Sequence, residues 1–144
     1  MTEFSEETLL DRAYTNLQAA RVLLQANQGD DLFCNIIAYH LQQAIELSIK
    51  YQLEQEGVNY PHEHDIGILI RVAQKHGVEL CITDYIEEHS DMLSNWESKT
   101  RYVKNYLVEL RRIEKAIPEI ESSLSWCKKE FGEPFRGMNE PDYD

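Results

Sequence analysis

The sequence is poor in residues that interrupt helices, since its 144 residues include only six glycines and four prolines. It has no apolar run of about 18 residues, so no membrane span is expected. It also lacks a glycine-rich phosphate loop, a nucleophile elbow and any alternating strand pattern. The acidic start has neither the basic nor the apolar region of a signal peptide, so we expect a cytoplasmic protein.

Cysteine is equally scarce, and the three that occur are odd in number and far apart in the chain. This spacing excludes a CxxC zinc site and argues against a disulfide framework. Cys34 and Cys127 lie in apolar surroundings of predicted helices. Free, buried thiols are therefore predicted.

Positive charge is outnumbered, with 14 Lys and Arg against 26 Asp and Glu, which gives a net charge of −12. Such a balance makes broad binding to nucleic acid backbones unexpected. Six of the basic residues nevertheless fall between Lys99 and Lys115, where two acidic residues oppose them. That segment therefore carries +4 and the rest of the chain −16. It is either a solvated helix face or a patch for an anionic ligand or acidic partner.

The stretch 31–56 is predicted to be one long helix around which the other helices pack. It contains no proline or glycine, and its apolar residues cover most of the helix circumference, which is typical of a central helix in a bundle. One narrow polar stripe remains, which faces either solvent or a ligand or partner. Its members are Asn35, Tyr39, Gln42, Gln43, Glu46 and Lys50. Glu46 and Lys50 stand in the favoured i, i+4 order.

Apolar periodicity and capping residues predict four further helices. They span residues 5 or 6 to 28 with Ser5 as the cap, 65–76, 83 or 84 to 93, and 106–131, whereas 94–105 is expected to be a loop or broken helix. Apolar residues keep their spacing of three and four across Pro118, which favours one long, kinked last helix. Residues 1–131 are thus predicted to form an all-α, up-and-down bundle of about five helices, followed by a mobile tail at 132–144.

Histidines are the residues most suited to metal binding, but their pattern is weak. His62 and His64 flank Glu63 without a second ligand pair, so no metal and no other cofactor is predicted. Asp65 is better explained as a helix cap, with His64 bonded across the turn. His40 is predicted to be partly buried and hydrogen-bonded, and His76 to sit at a helix C-terminus.

The segment 96–102 combines Trp, Lys, Arg and Tyr, which are frequent in sites that bind bases, phosphates or proteins. Its composition alone favours structural anchoring. On that interpretation Trp96 and Tyr102 are apolar plugs, and Arg101 pairs with an acidic side chain.

Three features in their order along the chain resemble the HEPN domain family. They are AYHL followed by QQAIELSIK in the central helix, the run from Pro61 through His64-Asp65-Ile66 to Leu69, and Lys-Thr-Arg-Tyr at 99–102. The resemblance covers about residues 6–130. It implies a bundle of about five helices, usually a homodimer, in a fold shared by nucleotide-binding modules, toxin–antitoxin components and ribonucleases. Many small prokaryotic members are paired with a minimal nucleotidyltransferase.

The resemblance also bears on catalysis. Catalytic members carry an Arg, then four to six intervening residues, then a His, near the start of the last long helix. The matching arginine is Arg101, but positions 106–108 are Tyr, Leu and Val. Arg71 and His76 have a similar spacing, yet they lie on the third helix, and we interpret that pair as chance.

The sequence therefore predicts no catalytic residue and a non-catalytic HEPN-type module that dimerises. The alternative is a divergent ribonuclease toxin that cleaves RNA without metal, using Arg101 with Tyr102, Lys104 or Tyr106 in place of histidine. The expected partners are a second copy and either a nucleotidyltransferase or a nucleotide. The residues predicted to bind them are Gln43, Glu46, Lys50, His64, Lys99, Arg101 and Tyr102.

Overall fold

A computed structural model describes residues 6–27 and 30–132, and all regular structure within these ranges is helical. The six α-helices are α1 (Leu9–Ala26), α2 (Cys34–Gln55), α3 (Ile66–Lys75), α4 (Asp84–Glu88), α5 (Ser90–Tyr102) and α6 (Leu110–Phe131). The predicted all-α bundle is confirmed, with one helix more than the five expected. None of the helices in the described ranges is both long and apolar enough to cross a bilayer.

α2 is the central helix, since it packs against α1, α3, α5 and α6. It begins three residues later than predicted, because Asp31–Phe33 forms a 3₁₀ turn. The side chain of Asp30 caps that turn by accepting a hydrogen bond from the Leu32 amide at 3.0 Å. α1 lies antiparallel to α2, as predicted: Leu9 at its start and Tyr51 near the end of α2 line the same cleft.

α1 starts at Leu9, so the predicted start at residue 5 or 6 is wrong for the described residues, and Ser5 lies outside them. Thr8 is the cap. Its hydroxyl accepts from the Asp11 amide, and the Asp11 carboxylate accepts from the Thr8 amide at 2.7 Å. This reciprocal pair satisfies two amides that the first helical turn leaves free.

The predicted fourth helix and the loop after it are corrected. α4 is only five residues long and is capped by the Thr83 side chain. The helix ends at His89. α5 then runs without interruption to Tyr102, where a loop or broken helix was expected. Its buried face holds only Leu93, Trp96 and Glu97, so its apolar period was too sparse to recognise in the sequence.

α6 continues through Pro118, so the prediction that one long helix spans the proline is confirmed. Pro118 is exposed, while Ile113, Ile120 and Leu124 stay buried on either side of it. The start is corrected from residue 106 to Leu110. Apart from Gly132, the predicted tail at 132–144 lies outside the described residues.

The three cysteines are free and buried, as predicted. Burial raises the pKa of Cys81 to about 11 and that of Cys127 to about 12. Since the thiolate is the reactive form, both groups are unreactive at neutral pH.

Candidate functional site

The polar stripe of α2 is not a solvated face. Gln42 is fully buried and Glu46 is 2 % exposed, so the interpretation that the stripe merely faces solvent is wrong at its centre. A buried carboxylate is tolerated only where it is paired and hydrogen-bonded. The surroundings of Glu46 therefore decide what this stripe does.

Glu46 is surrounded by donors. Lys50 Nζ lies 2.9 Å from Oε2, and Gln42 Nε2 donates to Oε1 at 2.9 Å. Gln43 Nε2 donates to Oε1 at 3.2 Å, and His64 Nδ1 lies 3.0 Å from Oε2. The carboxylate thus joins two turns of its own helix to the segment that precedes α3.

The His64 backbone strengthens this connection, because its carbonyl accepts a hydrogen bond from Gln42 Nε2 at 3.1 Å. The next residue, Asp65, caps α3 by accepting from the Ile68 amide at 3.1 Å. The prediction that Asp65 caps α3 is confirmed, but the prediction that His64 bonds across its own turn is wrong, because its ring contacts Glu46 on α2. His64 keeps 62 % of its side chain exposed, so its ring remains open to a ligand.

Arg101 forms the second cluster. Its guanidinium pairs with the Glu97 carboxylate, and its Nε donates to the Glu97 carbonyl at 3.0 Å. The guanidinium also lies 4.9 Å from the ring centres of Tyr39 and Tyr102, which is within cation–π range. The predicted pairing of Arg101 with an acidic side chain is confirmed.

The aromatic residues of this segment differ from each other. Trp96 is 1 % exposed and is the apolar plug that was predicted. Tyr102 is 73 % exposed, so its prediction as a plug is wrong. α5 ends at this residue, so nothing continues the helix to cover the ring. An exposed tyrosine next to a cation is suited to contact a base or a protein surface.

The two clusters lie on one side of the bundle. Tyr39 and Glu46 are seven residues apart on α2, which is about 10 Å along the axis. α5 runs beside them, and its Ser94 hydroxyl accepts a hydrogen bond from the Ile66 amide at 2.9 Å. Of the predicted binding residues, Lys99 does not join Arg101, because a separation of two residues places it about 200° around α5.

The loop 103–109 is fixed by Asn35, a residue that the sequence placed in the stripe without a role. Asn35 Nδ2 donates to the Tyr106 carbonyl at 2.6 Å, and its Oδ1 accepts from the Val108 amide at 3.0 Å. Val108 is buried and Leu107 is 55 % exposed. Burial raises the pKa of Tyr106 above its ordinary value of 10.0.

Much of the basic segment is neutralised locally. Arg111 and Arg112 both approach the Glu109 carboxylate, at 3.0 and 3.4 Å. Within the described part of the chain, Lys99, Lys104 and Lys115 form no ion pair. The cationic patch is therefore smaller than the sequence suggests, and Arg101 contacts one carboxylate and two aromatic rings.

His40 and His76 have structural surroundings. His40 Nδ1 lies 2.8 Å from Asn16 Oδ1, and burial lowers the pKa of His40. His76 Nδ1 lies 3.0 Å from the Val72 carbonyl at the end of α3, as its predicted position at a helix C-terminus implies. Among the residues that the structure describes, no three His, Cys, Asp or Glu side chains are grouped to hold a metal ion.

Comparison with known proteins identifies one family. The family model described as HEPN domain matches residues 6–130, which is most of the chain. No curated protein and no solved structure matches it.

Proposed function

The chain belongs to the HEPN domain family, and from that premise we propose that it is a non-catalytic member that dimerises and binds a nucleotide or a nucleotidyltransferase partner. In this proposal it acts as one component of a toxin–antitoxin pair. The observation that carries the proposal is the environment of Arg101, whose guanidinium contacts a carboxylate and two tyrosine rings. These contacts include no histidine, the side chain most often used as a general acid or base.

The loop after α5 supports the same view. Catalytic members have their histidine where this chain has Tyr106, Leu107 and Val108. Leucine and valine do not titrate, and burial moves the pKa of Tyr106 further from neutrality. Tyr106 is therefore a poor substitute for histidine in a divergent ribonuclease.

Binding is proposed to use the exposed members of the two clusters. Arg101 is 40 % exposed in its side chain, and Tyr102 and His64 are more open still. A guanidinium beside an exposed ring suits a nucleotide, because the cation attracts phosphate and the ring stacks on a base. In this proposal Glu46 positions His64, and Gln43 and Lys50 act through their contacts with the Glu46 carboxylate.

Dimerisation is proposed to use an exposed apolar surface at one end of the bundle. Asn35 ties the loop 103–109 to the start of α2, so apolar side chains from both segments lie at this end. They are Leu32, Ile36, Val103 and Leu107, each about half exposed or more. Exposed apolar groups of this kind mark interaction sites, and burial between two copies would remove them from water.

Two experiments test the proposal. Light scattering at micromolar concentration should give about twice the 16.9 kDa chain mass, and a Leu107→Asp variant should be monomeric. A monomeric wild type would contradict dimerisation. Affinity purification followed by mass spectrometry should recover a nucleotidyltransferase with the wild type and less with Arg101→Ala. Equal recovery with both proteins would remove Arg101 from the binding surface.

A further inference from the structure

A second surface, remote in sequence from Arg101, carries an apolar cleft. It lies between α3, α4 and α6 and has a volume of about 370 Å³. Its apolar walls are formed by Ile70, Ala73, Val78, Leu80, Ile82 and Trp126. A volume of this size is within the range of ligand-binding pockets, roughly 300–1,000 Å³.

Trp126 is the largest side chain that lines the cleft, and it is 45 % exposed. The other tryptophan, Trp96, is buried in the core. Beyond the Trp126 ring lies a second cleft of about 550 Å³, which shares Val78, Glu79 and Trp126 with the first. The two clefts therefore adjoin at Trp126, and together they form one groove. Half-exposed tryptophans in such positions are frequent anchors of protein interfaces.

The rim of this groove is acidic. Glu79, Asp84 and Glu87 line the first cleft, and Glu56, Glu79 and Glu130 line the second. Within the described ranges, none of these five carboxylates makes a side-chain hydrogen bond or ion pair. Grouped charges of one sign produce a potential that attracts a partner of opposite charge.

The acidic rim therefore favours a positively charged occupant. A second copy is disfavoured because the chain carries −12, and three of its clustered arginines are already paired with Glu97 or Glu109. A basic segment with apolar residues on one side would fill the walls and neutralise the rim.

We propose that the groove around Trp126 binds a basic, amphipathic peptide segment of a partner protein. Apolar side chains of that segment pack on Trp126 and the walls of the first cleft. Its Lys or Arg side chains pair with the rim carboxylates. This surface is separate from the Arg101 cluster, so the two interactions can be tested independently.

The test uses a fluorescent amphipathic peptide of leucine and lysine, with a leucine–glutamate peptide as its counterpart. The wild type should bind the lysine peptide saturably and the glutamate peptide much more weakly. Trp126→Ala should raise Kd by at least about 30-fold, as loss of a hot-spot residue does. The double variant Glu79→Gln, Glu87→Gln should raise it by roughly tenfold and flatten its salt dependence.

A double variant Asp91→Asn, Glu114→Gln removes the same charge from residues that do not line either cleft, and its Kd should stay within about twofold of wild type. Circular dichroism checks that every variant is folded. Equal binding by all variants, equal binding of both peptides, or no binding of the lysine peptide would overturn the proposal. So would conversion of a wild-type dimer to monomer by Trp126→Ala, because the groove would then hold a second copy.

Discussion

Glu46 belongs to the polar stripe of α2 and Arg101 contacts Tyr39 of the same stripe, but the surroundings of the two charged residues differ. Glu46 is 2 % exposed and has four donor side chains around its carboxylate. Arg101 keeps 40 % of its side chain exposed, with one carboxylate partner and two rings. The comparison teaches that a buried, fully paired carboxylate joins elements of the fold, whereas a partly exposed guanidinium keeps surface that a ligand could contact.

The largest effect is expected at Glu46. Glu46→Ala leaves Lys50, whose side chain is 11 % exposed, without its partner. Breaking a buried pair typically costs about 3–5 kcal/mol, so the free energy of unfolding should fall by that amount. Chemical denaturation measures it, with the exposed Glu88→Ala as the control. A change as small as that of Glu88→Ala would show that the cluster is not structural.

Arg101 pairs with Glu97 and is also proposed to bind a ligand. A double variant separates these two roles. Arg101→Ala leaves the buried Glu97 unpaired, at a cost of about 1–3 kcal/mol, and adding Glu97→Gln should recover part of that stability. Binding of ATP should not recover, because the charge-assisted contact is worth about 1.5–3 kcal/mol and is lost in both variants.

The measurements are thermal melting and ATP titration on the same preparations. The contrary result is unchanged ATP affinity in the folded fraction of Arg101→Ala. Arg101 would then be an anchor for Glu97 and nothing more, and the contrast with Glu46 would disappear.

A smaller effect is expected at His40. This residue is intermediate in burial between Glu46 and Arg101, and its partner is Asn16. Burial lowers its pKa below the ordinary 6.5, so the folded state favours the neutral ring. The resulting stability is present above pH 6.5 and is lost as the pH falls through the folded-state pKa. His40→Gln should remove this part of the pH dependence in melting experiments between pH 7 and pH 5. An identical pH profile in both proteins would contradict the assignment.

The sequence predicted the framework well where the signals were local. The continuous helix through Pro118 followed from apolar spacing, and Asp65 was recognisable as a cap. The i, i+4 pair of Glu46 and Lys50 was also correct. Each of these features depends on residues a few positions apart in the chain.

The features that the sequence did not predict depend mostly on contacts between residues far apart in the chain. Asn35 fixes a loop more than 70 positions away, and Tyr39 meets Arg101 only after α2 and α5 pack together. The pairing of Glu97 with Arg101 is the exception, because its i, i+4 spacing was visible and would have predicted α5 as a helix. The exposure of Tyr102 follows from where α5 ends, which the sequence did not show.

The central claim, that this HEPN domain lacks ribonuclease activity, is tested most directly by incubating metal-free protein with structured and single-stranded RNA. Arg101→Ala and an Arg71→Ala, His76→Ala double variant are assayed in parallel. The predicted result is no cleavage by the wild type above the level of either variant. Cleavage that persists through repurification and disappears in one of the variants would contradict the claim and would identify the residues responsible.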